Sequence, residues 1–168
     1  MKYIEEKTEQ LLKSLNAMKL PIDPKKCAES YSVVVNGVKM NDNVSGLFMT
    51  KDSVSYIMYN LDEVKQRQRF TIAHEFGHFI LHKDVKLFID KSQKTLYRNS
   101  ASTTGESLKE REANAFAASL LMPKALIEEE ITNSPKNTDV VDYLAEKFDV
   151  SPLAMSIRLS NLGYEIGW

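Results

Sequence analysis

Two rhythms alternate along the chain. Ile4, Leu11, Leu12, Leu15 and Met18 recur at helical intervals and predict a first helix over residues 3–18, ended by Pro21 and Pro24. Residues 31–35, 44–50 and 53–59 are rich in β-branched and aromatic side chains, and Asn36-Gly37 and Lys51-Asp52 read as turns. These runs predict a small antiparallel sheet. From Asn60 the helical period returns. Asn60 offers a cap with Glu63 three residues on, and Phe70, Ala73, Gly77, Ile80 and Leu81 form an apolar stripe down to His82. Residues 84–106 are polar and irregular and read as a long surface connection. A second long helix is predicted from about Ser107 to Met122, stopped by Pro123. Shorter helical patterns follow at 123–131, 139–148 and 152–161. Ser151 caps the last of these, Pro152 takes its first position and Gly163 lies just past its end.

A chain of 168 residues predicts one domain of α+β class, with a helical segment at 1–30, the sheet at 31–60, two long helices and their connection at 61–122, and closing helices at 123–168. Its 43% hydrophobic content disfavours disorder. Lys and Arg number 22 against 23 Asp and Glu, so no global charge draws the chain to nucleic acid or an anionic membrane. Cys27 is the single cysteine, which rules out an intrachain disulfide and a cysteine-based zinc site and fits a reducing compartment. The first ten residues are charged and lack the apolar run of a signal peptide, and no stretch reaches the length of a membrane span. The expectation is a soluble cytoplasmic protein.

The residues that carry chemistry are His74-Glu75-Phe76-Gly77-His78. On a helix, positions i and i+4 share a face, so His74 and His78 can offer two imidazole nitrogens to one metal ion. Glu75 projects beside them, placed to take a proton from a water rather than to bind the metal. Zinc suits His ligands completed by a carboxylate and an open water position. The bland alternative is a solvated His pair on an amphipathic helix. Gly77 costs about 1 kcal/mol against Ala inside a helix, which implies a packing or access reason.

A third ligand is needed. His82 is displaced around the same helix and is better read as a polar residue satisfied at the helix end. Glu110 on the second helix is the stronger candidate. It shares a face with Asn114, which can hydrogen-bond a ligand imidazole, and with the small residues Ala113 and Ala117. Ser107 with Glu110 also fits a capping box. Glu112 points about 160° away and is expected to be solvated or paired with Lys or Arg.

Arg69-Phe-Thr-Ile-Ala-His-Glu-Phe-Gly-His-Phe-Ile-Leu-His82, followed by Glu110-Arg-Glu-Ala-Asn-Ala-Phe-Ala-Ala-Ser-Leu-Leu-Met-Pro123, resembles the ImmA/IrrE metallopeptidases in order and spacing. The segment from Val150 to Gly163 resembles the family's closing part. The resemblance implies a zincin-like core with a small sheet beside two metal-bearing helices, and zinc held by His74, His78 and Glu110 with Glu75 as the catalytic base. It also implies a helix-turn-helix repressor of a mobile element or stress regulon as substrate.

Three readings compete. In the first the protein is a site-specific zinc endopeptidase, with His82, Tyr97 and Arg98 as candidate oxyanion donors. In the second it is a DNA-binding regulator, since residues 144–162 have a helix-turn-helix rhythm. Five acids against two bases between Asp139 and Trp168 argue against that, so the segment reads as a hairpin for packing or docking. Lys65, Arg67 and Arg69 could form a basic patch, though such a run is more often the solvated face of a helix. In the third the protein is a metal-binding scaffold that only holds its partner.

Overall fold

The structure, a computed structural model, describes residues 1–91 and 104–166, with side chains from 108 onward in the second stretch. Helix α1 spans Lys2–Ser14 and α2 spans Pro24–Glu29, where Asp23 caps the Lys26 N–H and Pro24 sits at the first helical position. Strands β1 (Val34–Val38), β2 (Val44–Lys51) and β3 (Val54–Asn60) lead into α3 (Lys65–Leu81). Strand β4 (Leu87–Lys91) follows. After it come α4 (Thr104–Leu121), α5 (Lys124–Asn133), α6 (Val140–Phe148) and α7 (Pro152–Asn161).

The class is α+β. The sheet order is β1-β3-β2-β4, and it is mixed rather than purely antiparallel, because β1 lies parallel to β3. Asn36-Gly37 is no turn. It sits inside β1, opposite Met58 and Tyr59, where a side chain on Gly37 would collide with Leu61. The tight turn falls at Asp52-Ser53, both at positive φ, as a two-residue hairpin between antiparallel strands requires. Asn60 does not cap a helix. Its buried amide donates to the Val44 carbonyl and accepts from the Asp62 and Met40 N–H groups, which fastens the β1–β2 connection to the end of β3.

Strand β4 lies inside what reads as a surface connection. Its inward residues are Phe88 and the buried Asp90, while Leu87 and Ile89 face solvent. That inverts the polarity a half-buried strand normally displays. Helix α3 also departs from a simple stripe: every residue from Thr71 to His78 is buried. The sheet and α2 cover it on one side and α4 on the other, which is how a helix comes to be buried all round.

The basic run at the start of α3 is not a free patch: Lys65 stays exposed, as a solvated face would, while Arg67 and Arg69 are largely covered. Lys65 pairs with Asp149 at 2.9 Å. The Arg69 guanidinium donates to the carbonyls of Phe148 and Asp149, and Arg67 donates to Asp90. Asp149 turns the corner between α6 and α7 at φ 52, so these bonds tie the closing hairpin to α3. Arg158 on α7 is buried and holds the Met122 carbonyl and both oxygens of Glu5.

Candidate metal centre

The motif lies on the buried middle turns of α3, where His74, Glu75 and His78 are at most 2% exposed. The two imidazole centroids are 4.9 Å apart. Helix α4 runs alongside and presents Glu110 to both rings. Its Oε2 is 3.1 Å from His74 Nε2, and its Oε1 is 2.9 Å from His78 Nε2. Small residues permit this approach. Ala113 and Ala117 are fully buried, and a Cβ on Gly77 would come within 3.1 Å of the Phe116 Cβ.

The carboxylate straddles the two nitrogens without aligning to an N–H of either. Neither Nε2 has a hydrogen-bond partner among the described residues, nor do the two oxygens of Glu75. Orphaned buried polar atoms are costly, so a cluster of them marks a place for a ligand. The other ring nitrogens are occupied. His74 Nδ1 lies 2.8 Å from Asn114 Oδ1. An amide oxygen only accepts, so Nδ1 carries a proton, and His74 presents its Nε2 inward, as a lone pair once the ring has lost its second proton. His78 Nδ1 lies 2.9 Å from His82 Nδ1, and Phe88 stacks on the His78 ring at 3.6 Å and 12°.

Two imidazole nitrogens and a carboxylate, all within 4.8 Å of one another, fit a divalent ion of zinc type. His74, Glu75 and Asp90 form a second group within the same distance. That group leaves His78 Nε2 unused and takes Asp90 away from Arg67, so the first is the better donor set.

Charge is tightly coupled here. Burial pulls the Glu110 carboxyl up, but the two imidazoles outweigh it and hold its pKa at about 2. Burial pulls His74 down, yet Glu110, Glu75 and Asp90 together raise its pKa to about 9. For His78 burial wins over Glu110, and the pKa falls to about 4. The two rings move in opposite directions beside the same carboxylate, because a proton on His74 repels one on His78. Burial raises Glu75 well above the usual carboxylate range, against the pull of His74.

The chain matches the Peptidase_M78 family, described as the IrrE N-terminal-like domain, over residues 28–160. It belongs to this peptidase family. It is 35% identical over 95 residues to the radiation response metalloprotease IrrE of Deinococcus deserti, covering 56% of this chain and 32% of that protein. It is 26% identical over 119 residues to the metallopeptidase ImmA of Bacillus subtilis, covering 71% of this chain and 64% of that protein. The chain thus spans about a third of the first relative and just under two thirds of the second. A Mycobacterium tuberculosis transcriptional regulator superposes with a TM-score of 0.66 at 12% identity, covering 95% of this chain and 47% of that one. At that identity the likeness concerns the fold alone.

Within this Peptidase_M78 chain the structure brings His74, Glu75, His78, Glu110 and Asn114 into one cluster. His82 stands apart from the open side. It ends α3 behind His78 with both ring nitrogens engaged, by His78 and by Glu112, so it has no N–H free for an oxyanion. Tyr97 and Arg98 lie outside the described residues. Because α4 begins at Thr104, Ser107 falls inside the helix rather than at the N-cap position a capping box requires. Among the described residues Glu112 pairs with neither Lys nor Arg. It takes His82 Nε2 at 2.7 Å and the Tyr3 hydroxyl at 3.0 Å, since α1 rather than solvent flanks that side of α4. Sequence reasoning missed Phe88 and Asp90, whose strand gave no alternating signal. Among the described residues, no helix is long and apolar enough to cross a membrane.

Proposed function

We propose that the chain is a zinc-dependent endopeptidase in which His74, His78 and Glu110 hold the ion and Glu75 is the catalytic base. The observation that carries this reading is the convergence of two buried, partnerless Nε2 atoms and the Glu110 carboxylate beside an equally partnerless Glu75. The names of the relatives support peptide-bond hydrolysis.

When bound, the ion supplies Lewis acidity toward the scissile carbonyl and the attacking water. Glu75 does the proton work. Burial makes its carboxylate a stronger base than an exposed one, suited to removing the water's proton and returning it to the departing amine. Asn114 holds His74 in its ligand orientation. From the cluster, His74, Glu110 and Asn114 line a groove of about 1680 Å³, bordered by β4 on one side and α7 on another. That exceeds the roughly 300–1,000 Å³ of small-molecule pockets and suits a length of polypeptide. The substrate we infer is a folded protein, a helix-turn-helix repressor, on the strength of the family resemblance.

Metal-depleted protein should bind one zinc per chain by calorimetry and cleave the genomically adjacent repressor at one site by mass spectrometry. Zinc binding with no cleavage would leave a binding protein rather than a peptidase. Absence of zinc binding would remove the centre itself.

A further inference from the structure

A line of hydrogen bonds runs from the surface to His78, on the side away from the centre. The Tyr3 hydroxyl donates to Glu112 Oε1 at 3.0 Å. Glu112 Oε2 lies 2.7 Å from His82 Nε2. His82 Nδ1 lies 2.9 Å from His78 Nδ1. Three elements contribute, α1, α3 and α4, and both imidazoles are buried, at 4% exposure or less.

Proton counting gives this line a direction. An ionised carboxylate only accepts, so the hydrogen between Glu112 and His82 belongs to His82 Nε2. A neutral His82 then has a bare Nδ1, which can only accept. The hydrogen between the two rings therefore belongs to His78 Nδ1, and His78 Nε2 is left as a lone pair facing Glu110 and His74. Reversing either of the two links made by His82 would place a hydrogen on His78 Nε2, where an ion has to sit.

We propose that Glu112 and His82 are positioning residues that fix the tautomer of His78 and so prepare its Nε2 for metal. Histidine ligands commonly donate their second N–H to a carboxylate or carbonyl. Here a second imidazole stands between ligand and carboxylate. His74 is served directly by Asn114, so α4 orients both ligands, one by an amide and the other through His82. The inference rests on the metal centre proposed above.

Two measurements test it separately from that reading. Long-range proton–nitrogen correlation spectra of the metal-free protein report the tautomer of each histidine. The expected result is His78 protonated at Nδ1 in the wild type and a mixture of tautomers in Glu112→Ala. Zinc affinity by competition with a chelating dye should fall about 10–100-fold in His82→Phe and recover in part in His82→Gln, whose amide oxygen can accept from His78 Nδ1. Circular dichroism checks that each variant is folded. Wild-type His78 protonated at Nε2, or His82→Phe binding zinc like the wild type, overturns the proposal. A wild type that binds no zinc sinks the metal centre instead, and the tautomer spectra still decide the orientation of His78.

Discussion

His74 Nδ1 and Asn114 Oδ1 meet at 2.8 Å across the α3–α4 seam. The bond makes one helix responsible for the orientation of a ligand carried by the other. Asn114→Ala should leave His74 Nδ1 buried without an acceptor and lower zinc affinity by about 10–100-fold. Asn114→Asp keeps an oxygen in place and should bind close to wild type. Equal affinities for the two variants, measured by calorimetry, would deny the bond its role.

Glu75→Gln is isosteric but cannot take the water's proton. On the proposed reading, zinc stoichiometry should stay at one while hydrolysis of the protein substrate disappears. His74→Ala and His78→Ala should lose metal and hydrolysis together. A Glu75→Gln protein cleaving at the wild-type rate would move the base to another residue.

Glu110 and Glu112 stand two residues apart and meet different histidines. Glu110 contacts His74 and His78, and Glu112 contacts His82. Glu110→Ala should cost far more zinc affinity than the roughly 10–100-fold typical of an outer partner, because it removes a proposed ligand. Competition with a graded set of chelators ranks the two. A larger loss in Glu112→Ala would require α4 to be rotated about its axis.

The His-Glu-x-x-His spacing was readable because a helix converts spacing directly into a shared face, and the same periodicity separates the face of Glu110, which meets His74 and His78, from that of Glu112. The partner of Glu112 was not readable. His82 is 30 residues away and reaches it only because α3 and α4 lie side by side. Asn60 shows the same limit. Its side chain suits a cap, yet its buried amide is drawn instead to backbone groups of the β1–β2 connection. Strand β4 stayed hidden because the acidic Asp90 faces inward, paired with Arg67, while Leu87 and Ile89 face out. Local pattern reports which groups prefer water, and a buried ion pair reverses that preference at a single position.

Metal must displace the proton that His74 holds. The metal-free pKa of about 9 exceeds the ordinary 6.5, so His74 is charged below about pH 9 and loses its proton on coordination. Apparent zinc affinity should therefore rise about tenfold per pH unit between roughly pH 6.5 and 8. The sign for folding is the opposite. A raised imidazole stabilises the metal-free fold fully below pH 6.5 and loses that contribution as the pH climbs through about 9. Calorimetry in buffers of different ionisation enthalpy should count about one proton released per zinc near pH 7. A count of zero would mean that His74 is already neutral.

Gly77 sits where α3 meets Phe116. A methyl group there would lie 3.1 Å from both the Cβ and the Cδ1 of Phe116. Phe116 is fully buried, with its ring 5.6 Å from that of Phe76, so it has no room to retreat. Helix propensity alone would make Gly77→Ala stabilising by about 1 kcal/mol. Overpacking a tight core costs about 1–3 kcal/mol, and because the Phe116 Cβ moves only with its backbone, the cost should prevail. Any relief comes from α3 and α4 sliding apart, which also withdraws Glu110 from His74 and His78. Gly77→Ala should therefore lower both the denaturation midpoint and the zinc affinity, whereas a surface variant such as Lys147→Ala should change neither. A Gly77→Ala protein more stable than wild type, with unchanged zinc affinity, would mean that the seam has slack and that its closeness does not set the geometry of the centre.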